Sequence, residues 1–278
     1  MANGISLHIG VNELDPGHYG GKYSLKACEA DATDMQLIAK ASGFGNDILL
    51  TKKATRGAVI SGIKGAAAAL SGGDIFFLSY AGHGSQVPDT NGDEPDGRDE
   101  TWCLYDGMLI DDELKALWKL FKPGVRILLL SDSCHSGTVS RAPIWMAPDA
   151  PLARYLDEEV SFRAFRTNRA FYDDVMKKLK ELIQQAAKAA KDAAKAGSAD
   201  TSVLLMSGCQ DNQTSQDGAH NGRFTGTLLS VWNEGQFKGD YGSLHSRIVS
   251  RMPPDQTPNL DKQGASIASF VAQRPFTI

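Results

Sequence analysis

Short apolar runs alternate along the chain with segments in which apolar residues recur at helical spacing. The apolar runs predict strands at Gly4–Val11, Ile48–Thr51, Asp74–Leu78, Thr101–Tyr105, Ile127–Leu130, Val203–Met206 and Ala268–Val271. Helical spacing predicts helices over Leu25–Ser42, Thr55–Ala69, Asp111–Phe121, Phe171–Lys195, Phe224–Trp232 and Ser243–Met252. Strands that alternate with helices indicate an α/β fold with a mostly parallel, doubly wound sheet.

The pattern changes after Gly137. Residues 138–167 contain prolines and arginines without a clear period, so we interpret them as an irregular excursion that leads into the long helix. From residue 203 onward the pattern continues the same sheet. We therefore predict one domain over residues 1–278, in which an insertion at 138–200 separates the regions 1–137 and 201–278.

Composition narrows the class of protein. The chain has 278 residues, 42% hydrophobic and 22% charged, with a net charge of −4. An acidic balance argues against nucleic acid or an anionic membrane as a partner. No apolar run approaches the length of a membrane span, and the first residues, MANGISLHIGV, lack the features of a signal peptide. The four cysteines are far apart and never form CxxC, so we expect free thiols in a reducing cytoplasm. No organic cofactor is expected.

Two of the predicted strands end in small polar residues. One of them is in ILLLSDSCHSG (127–137), where Cys134 follows the apolar run. The other is DIFFL (74–78), which leads into SYAGHGS, where His83 lies. The carboxyl ends of parallel strands lie at one edge of a sheet, where α/β proteins bind ligands. A cysteine acts as a nucleophile through its thiolate and needs a basic neighbour. We therefore predict a Cys–His catalytic pair, with the N–H groups of Gly84 and Cys134 as an oxyanion hole.

The same two segments carry a family resemblance. YAGHGSQ (80–86) and DSCHSG (132–137) resemble the histidine and cysteine boxes of the metacaspases, in the caspase-like clan of cysteine peptidases. The histidine precedes the cysteine by roughly 50 residues, as in caspases, whereas the caspase QAC signature is absent. Further similar segments are LKACEAD (25–31), GDEPDGRDE (92–100), IDDEL (110–114) and SGCQDNQTSQDG (207–218). The resemblance implies a caspase-like three-layer α/β/α sandwich.

That resemblance also implies cleavage after arginine or lysine. In metacaspases the S1 pocket is lined by residues that correspond here to Cys28, Asp31 and Asp132. The residue types agree with this, because two carboxylates suit a guanidinium or ammonium group and repel an aspartate side chain. The expected partners are proteins or peptides with a basic P1 residue, and the expected oligomeric state is a monomer.

Calcium activation is a further, open expectation from the resemblance. Metacaspase calcium ligands correspond here to Asp99, Asp111 and Asp112. The last expected ligand position is Arg141, a cation where an anionic oxygen ligand is needed, which should weaken or abolish a calcium site.

The insertion contains the basic residues that such an enzyme would cleave in itself. We predict self-cleavage within 141–180, at one of Arg141, Arg154, Arg163, Arg166, Arg169, Lys177 or Lys178. Two other interpretations of the sequence stay open: a caspase-type peptidase with aspartate specificity, and a catalytically silent interaction module.

Overall fold

A computed structural model describes residues 2–89, 92, 94, 96–134, 152–195, 201–210 and 213–278. A six-stranded sheet runs through these residues. Its strands are β1 (Gly4–Gly10), β2 (Gly45–Leu50), β3 (Ile75–Ala81), β7 (Arg126–Asp132), β8 (Ser202–Ser207) and β9 (Asn259–Gln263). They lie side by side in the order β2-β1-β3-β7-β8-β9. All neighbouring pairs are parallel except β8 with β9. This confirms the predicted mostly parallel sheet.

Helices cover both faces of the sheet. They are α1 (Pro16–Tyr19), α2 (Cys28–Ala41), α3 (Arg56–Ala69), α4 (Asp111–Trp118), α5 (Glu158–Thr167), α6 (Arg169–Lys195), α7 (Arg223–Trp232), α8 (Tyr241–Val249) and α9 (Ile267–Val271). Successive strand residues point to opposite faces. Phe76 accordingly packs in one core with residues of α3, α4 and α6, and Phe77 packs in another with residues of α2, α7 and α8. The three-layer α/β/α architecture is therefore confirmed.

A small antiparallel sheet follows β3. It contains β4 (Gly84–Pro88), β5 (Arg98–Leu104) and β6 (Gly107–Ile110), in the order β4-β5-β6. Tyr80 at the end of β3 stacks on Trp102 of β5 with ring centroids 4.4 Å apart. The Tyr80 hydroxyl also donates to the carbonyl of His83, 2.7 Å away. The small sheet thus fixes the backbone at the carboxyl end of β3.

Two predictions of secondary structure near the C-terminus are wrong. Ala268–Val271 is not a strand but part of α9, because a short apolar run does not distinguish a buried strand from a helical turn. The last strand is instead β9, NLDKQ, which lies between the predicted helix Ser243–Met252 and Ala268–Val271, where no strand was predicted. β9 is a polar edge strand that pairs through its backbone, so it has no apolar pattern to reveal it.

The predicted irregular excursion is also partly wrong. Glu158–Thr167 forms α5, with the side chain of Asp157 accepting from the N–H of Glu159 at its start. Residues 135–151 lie outside the described part of the chain. Within the described ranges, every helix is too short or too polar to cross a lipid bilayer. Three expectations stay predictions: the division into regions 1–137, 138–200 and 201–278, the monomeric state, and the cytoplasmic location.

Candidate active site

The predicted histidine and cysteine lie at neighbouring strand ends. β3 and β7 pair in parallel with Ala81 opposite Asp132, and each candidate follows its strand by two residues. His83 is 7% exposed and Cys134 is fully buried. The edge of the sheet that the sequence indicated therefore brings the two side chains to one place.

The Cys134 thiol points toward Ser215 in this structure. Its Sγ lies 2.5 Å from the Ser215 N–H that donates to it and 3.4 Å from the Ser215 carbonyl. Burial raises the pKa of the thiol well above its usual range, and a hydrogen bond with Cys209 raises it further. The thiol is therefore neutral in this arrangement.

The His83 imidazole is held neutral as well. Burial, reinforced by the charge of Arg154, lowers the pKa of His83 to about 4. Neither ring nitrogen has a hydrogen-bond partner among the described residues, so no hydrogen bond joins the imidazole to the thiol. A neutral imidazole with a free nitrogen is suited to accept a proton.

Two backbone N–H groups at the site bind a carbonyl of the chain itself. The N–H of Gly84 donates to the carbonyl oxygen of Arg154 at 3.0 Å, and the N–H of Cys134 donates to the same oxygen at 3.2 Å. These are the two donors predicted for an oxyanion hole. A Cβ on Gly84 would lie 1.8 Å from the carbonyl oxygen of Cys134, so only glycine allows this approach.

The side chain of Arg154 is completely buried among three carboxylates. Its Nη2 lies 2.5 Å from Oδ2 of Asp31 and 2.9 Å from Oδ1 of Asp217, and its Nη1 lies 3.0 Å from Oδ2 of Asp132. The predicted S1 residues Asp31 and Asp132 therefore do meet in one pocket. Cys28 is buried beside them, and burial raises the pKa of its thiol well above the usual range.

Hydrogen bonds fix each of these carboxylates. Burial raises the pKa of Asp31 to about 6, against the opposing effect of the Arg154 charge. Charged groups this deeply buried are stable only when paired and fully hydrogen-bonded. The donors to the three carboxylates are the side chain of Asn221 and the N–H of Gly222 for Asp31, Ser215 and Thr225 for Asp132, and the N–H of Lys26 for Asp217.

Sequence reasoning missed Asp217 and the occupant of the pocket. Asp217 follows β8, the neighbour of β7, within the polar segment 207–218. The polar segment that follows this third parallel strand was the signal that could have identified it. Gly222 has a steric role, because a Cβ there would lie 2.6 Å from the guanidinium carbon of Arg154.

The residues around Arg154 extend across the site like a bound peptide. On one side Ala153 forms an antiparallel bridge with Gln216, and the N–H of Arg154 donates to the Ser215 carbonyl at 2.9 Å. On the other side Tyr155 forms a parallel bridge with Gly84. Extended peptides bind proteins by this kind of strand pairing, with side chains entering alternate pockets. Segment 152–156, LARYL, therefore occupies the site as a substrate would.

Two of the three predicted calcium ligands pair with a lysine. Nζ of Lys115 lies 2.8 Å from Asp111, 3.6 Å from Asp112 and 3.2 Å from Glu94. The third, Asp99, is buried on β5. The ammonium of Lys115 thus balances part of the negative charge of the three carboxylates around it.

Arg141, the remaining position of the calcium prediction, lies outside the described residues. Among the residues that are described, no group of three or more His, Cys, Asp or Glu side chains has an arrangement that would hold a metal ion. Calcium needs six to eight oxygen ligands, and the described residues alone do not bring such a set together. Because Arg141 and part of the acidic loop lie outside them, calcium binding stays a prediction, as do the roles assigned to individual residues.

Comparison with known proteins gives consistent similarities. The family model described as "Caspase domain" matches residues 4–274. Metacaspase-1 of Ajellomyces capsulatus is 28% identical over 246 residues, which are 80% of this chain and 68% of that protein. Metacaspase-1 of Emericella nidulans is 28% identical over 246 residues, 80% of this chain and 60% of that protein. Most of the fungal relatives thus extend well beyond the matched region.

A solved structure is similar over nearly its whole length. The crystal structure of protein GSU0716 from Geobacter sulfurreducens matches with a TM-score of 0.84 and 52% sequence identity. The match covers 99% of this chain and 98% of that one. The architecture described above is therefore that of an experimentally determined fold.

Proposed function

The chain belongs to the caspase-domain peptidase family, as a metacaspase-like member, and from this premise we propose that it is a cysteine endopeptidase that cleaves after arginine or lysine. The proposal rests on the position of Arg154. Its guanidinium lies among three buried carboxylates while its carbonyl oxygen receives the N–H groups of Gly84 and Cys134. This is the arrangement that a P1 residue needs for attack at its carbonyl carbon.

The proposed chemistry uses the side chains at the two strand ends. Rotation of the Cys134 side chain away from Ser215 brings the thiol to the P1 carbonyl, and His83 accepts its proton. The thiolate adds to the carbonyl carbon, and the N–H groups of Gly84 and Cys134 stabilise the oxyanion. His83 then donates the proton to the departing amine, which leaves a thioester that water hydrolyses.

The charge of the pocket supports the basic specificity. Asp31, Asp132 and Asp217 would each repel an aspartate at P1, so the caspase-type alternative is disfavoured. Arginine offers five N–H donors and reaches several carboxylates at once, as Arg154 does, whereas lysine presents a single ammonium. We therefore propose that arginine is preferred over lysine.

The same geometry favours one self-cleavage site among the basic residues of the insertion. Only an extended segment can pair with the strand edges of the site. Arg154 is extended and already in place, so we propose that the Arg154–Tyr155 bond is cleaved. The other described candidates lie in helices, namely Arg163 and Arg166 in α5 and Arg169, Lys177 and Lys178 in α6.

A panel of fluorogenic peptides tests the proposal. Leu-Ala-Arg, Leu-Ala-Lys and Leu-Ala-Asp substrates, which copy residues 152–153 before the P1 position, are assayed with wild type, Cys134→Ala and the matched variant Cys103→Ala, which changes a buried cysteine of β5. We expect hydrolysis in the order arginine, lysine, then aspartate, with Cys134→Ala inactive and Cys103→Ala active. Preferred cleavage after aspartate would support a caspase-type enzyme. No cleavage of any peptide, either by wild type or by Arg154→Ala, in which the pocket is vacated, would support the interaction module.

A further inference from the structure

The chain holds both sides of its own candidate scissile bond. On the amine side, the Leu156 N–H donates to the Gly84 carbonyl at 2.8 Å, and the Ser85 hydroxyl donates to the Leu156 carbonyl at 2.8 Å. Leu156 is 2% exposed and packs in the main hydrophobic core. The residue after Tyr155 is thus an integral part of the fold.

Contacts further along the chain reinforce this. Glu158 at the start of α5 lies 2.6 Å from the guanidinium of Arg98, and Ser161 donates to the Gln86 carbonyl at 2.7 Å. Burial raises the pKa of the Tyr155 hydroxyl, and the charge of Glu158 and a hydrogen bond with it raise this pKa further. None of these contacts depends on the peptide bond before Tyr155, so they persist when that bond is cut.

The acyl side of the bond, which ends at Arg154, is anchored independently of the amine side, which begins at Tyr155. The three ion pairs of Arg154 and the backbone bond from Asp217 N–H to the Leu152 carbonyl, 2.8 Å long, keep this strand on β8's side of the site. A cut between Arg154 and Tyr155 therefore leaves two ends that are each held next to Cys134.

We propose that self-cleavage at Arg154–Tyr155 is reversible within the folded chain, so that the protein also acts as an intramolecular peptide ligase. This rests on the proposed function. In the forward direction the Cys134 sulfur bonds to the Arg154 carbonyl carbon, the C–N bond breaks, and the Tyr155 amine takes the proton from His83. In the reverse direction the deprotonated Tyr155 amine attacks the thioester carbonyl, the C–S bond breaks and the thiol recovers the proton. No oxidant or further reactant is needed.

Proximity gives the reverse step its advantage. Reactive groups held in place react as though present at about 10⁵ M or more, far above the concentration of water. The retained Tyr155 amine therefore competes with hydrolysis for as long as Leu156 stays bound to β4. Cutting alone would then leave the site filled, and the departure of one strand would be the step that admits an external substrate.

Oxygen-18 exchange tests this directly. The full-length protein is incubated in water labelled with oxygen-18, and the uncut chain is then isolated and digested with an endopeptidase that cleaves after aspartate. Cleavage after Asp149 and Asp157 releases peptide 150–157. Hydrolysis of the thioester places the label in the Arg154 carboxylate. Reversal then runs through the same intermediate: the Cys134 sulfur bonds to the carboxyl carbon, water leaves, and the Tyr155 amine displaces the sulfur. The label that remains on the carbonyl is thereby returned to an intact Arg154–Tyr155 bond. We expect labelled intact peptide in wild type and none in Cys134→Ala.

A matched pair of variants tests the role of the anchored amine side. Leu156→Ala weakens a buried anchor, whereas the control Leu37→Ala changes a leucine of α2 that is 56% exposed. We expect Leu156→Ala to raise the ratio of cut to intact chain at least tenfold, on the order expected for removing a buried leucine, and to lower the label in the intact bond. Leu37→Ala should leave both quantities near their wild-type values.

The outcomes separate this inference from the proposed function. An enzyme that cleaves the Leu-Ala-Arg substrate but shows no label in its intact chain would overturn the inference and leave the function standing. An enzyme that cleaves neither the substrate nor itself would overturn both. Circular dichroism of Leu156→Ala identifies any general loss of folding, in which case Ser85→Ala, which removes one hydrogen bond to Leu156, replaces it.

Discussion

Removing the side chain of Arg154 should destabilise the protein through its pocket. Arg154→Ala leaves Asp31, Asp132 and Asp217 buried without their counter-ion. Breaking a buried ion pair by removing one partner typically costs about 3–5 kcal/mol, because the remaining charge stays desolvated. For a domain of this size each kcal/mol shifts Tm by roughly 2 °C, so we expect Tm to fall by about 6–10 °C at pH 8.

The pH dependence of that loss has a defined sign. The pKa of Asp31 is already raised to about 6 by burial, and losing the guanidinium raises it further. As pH falls through this range, protonation removes one of the uncompensated charges. The difference in Tm between wild type and Arg154→Ala should therefore shrink between pH 8 and pH 5.

Chemical rescue distinguishes an arginine pocket from a general packing defect. Ethylguanidinium should raise the Tm of Arg154→Ala by restoring the ion pairs, with a stabilisation of about 2.7 kcal/mol at a concentration a hundredfold above its Kd. The neutral isostere ethylurea should not do so, and wild type should respond to neither. The measurement is differential scanning fluorimetry. An unchanged Tm in Arg154→Ala, or equal rescue by both ligands, would refute the reasoning.

Three further predictions concern the backbone, the metal and the core. Gly84→Ala should abolish hydrolysis of the arginine substrate, because its Cβ would lie 1.8 Å from a carbonyl oxygen, and an active Gly84→Ala would contradict this. The control Gly57→Ala lies in α3 with nothing near its Cβ, so it should keep activity and raise the free energy of unfolding in urea by about 0.5–1 kcal/mol. EGTA should leave hydrolysis unchanged, since the ammonium of Lys115 already pairs with Asp111, Asp112 and Glu94. A loss of activity that only calcium restores would contradict this. Burial lowers the pKa of His8 to about 3 in the folded protein. Between pH 6.5 and about 3 the unfolded chain therefore binds one proton more than the folded chain, and the free energy of unfolding falls by roughly 1.4 kcal/mol for each unit by which the pH is lowered. Urea unfolding of His8→Asn between pH 7 and 5 should show a shallower decline, and an unchanged slope would rule out this cause.

The strand ends of the sheet could be predicted because they are marked locally. The sharp change from apolar to small polar residues at β3 and β7 is visible in the sequence, and the parallel topology then brings His83 and Cys134 together. β9 and α9 could not be assigned correctly in this way. A polar edge strand and one buried helical turn depend on their tertiary neighbours and have no distinctive period.

The occupied pocket could not be predicted from the sequence. Arg154 was one basic residue among several in a segment without period, and nothing local distinguishes it from Arg163 or Lys177. Its contacts join residues more than 60 positions apart, such as Asp217. Only the folded chain shows that the carboxylates of separate strand and helix ends converge on this one side chain.

Covalent labelling tests the central claim most directly. A Leu-Ala-Arg peptide with a C-terminal acyloxymethyl ketone, which copies residues 152–154, is incubated with the wild-type protein and with Arg154→Ala, and the adduct is located by peptide mapping. We predict one adduct, on Cys134, formed faster in Arg154→Ala where the pocket is vacated, and strongly reduced with the Leu-Ala-Asp analogue. An unlabelled Cys134, or equal labelling by the aspartate analogue, would contradict the proposed cysteine peptidase with a basic P1 pocket.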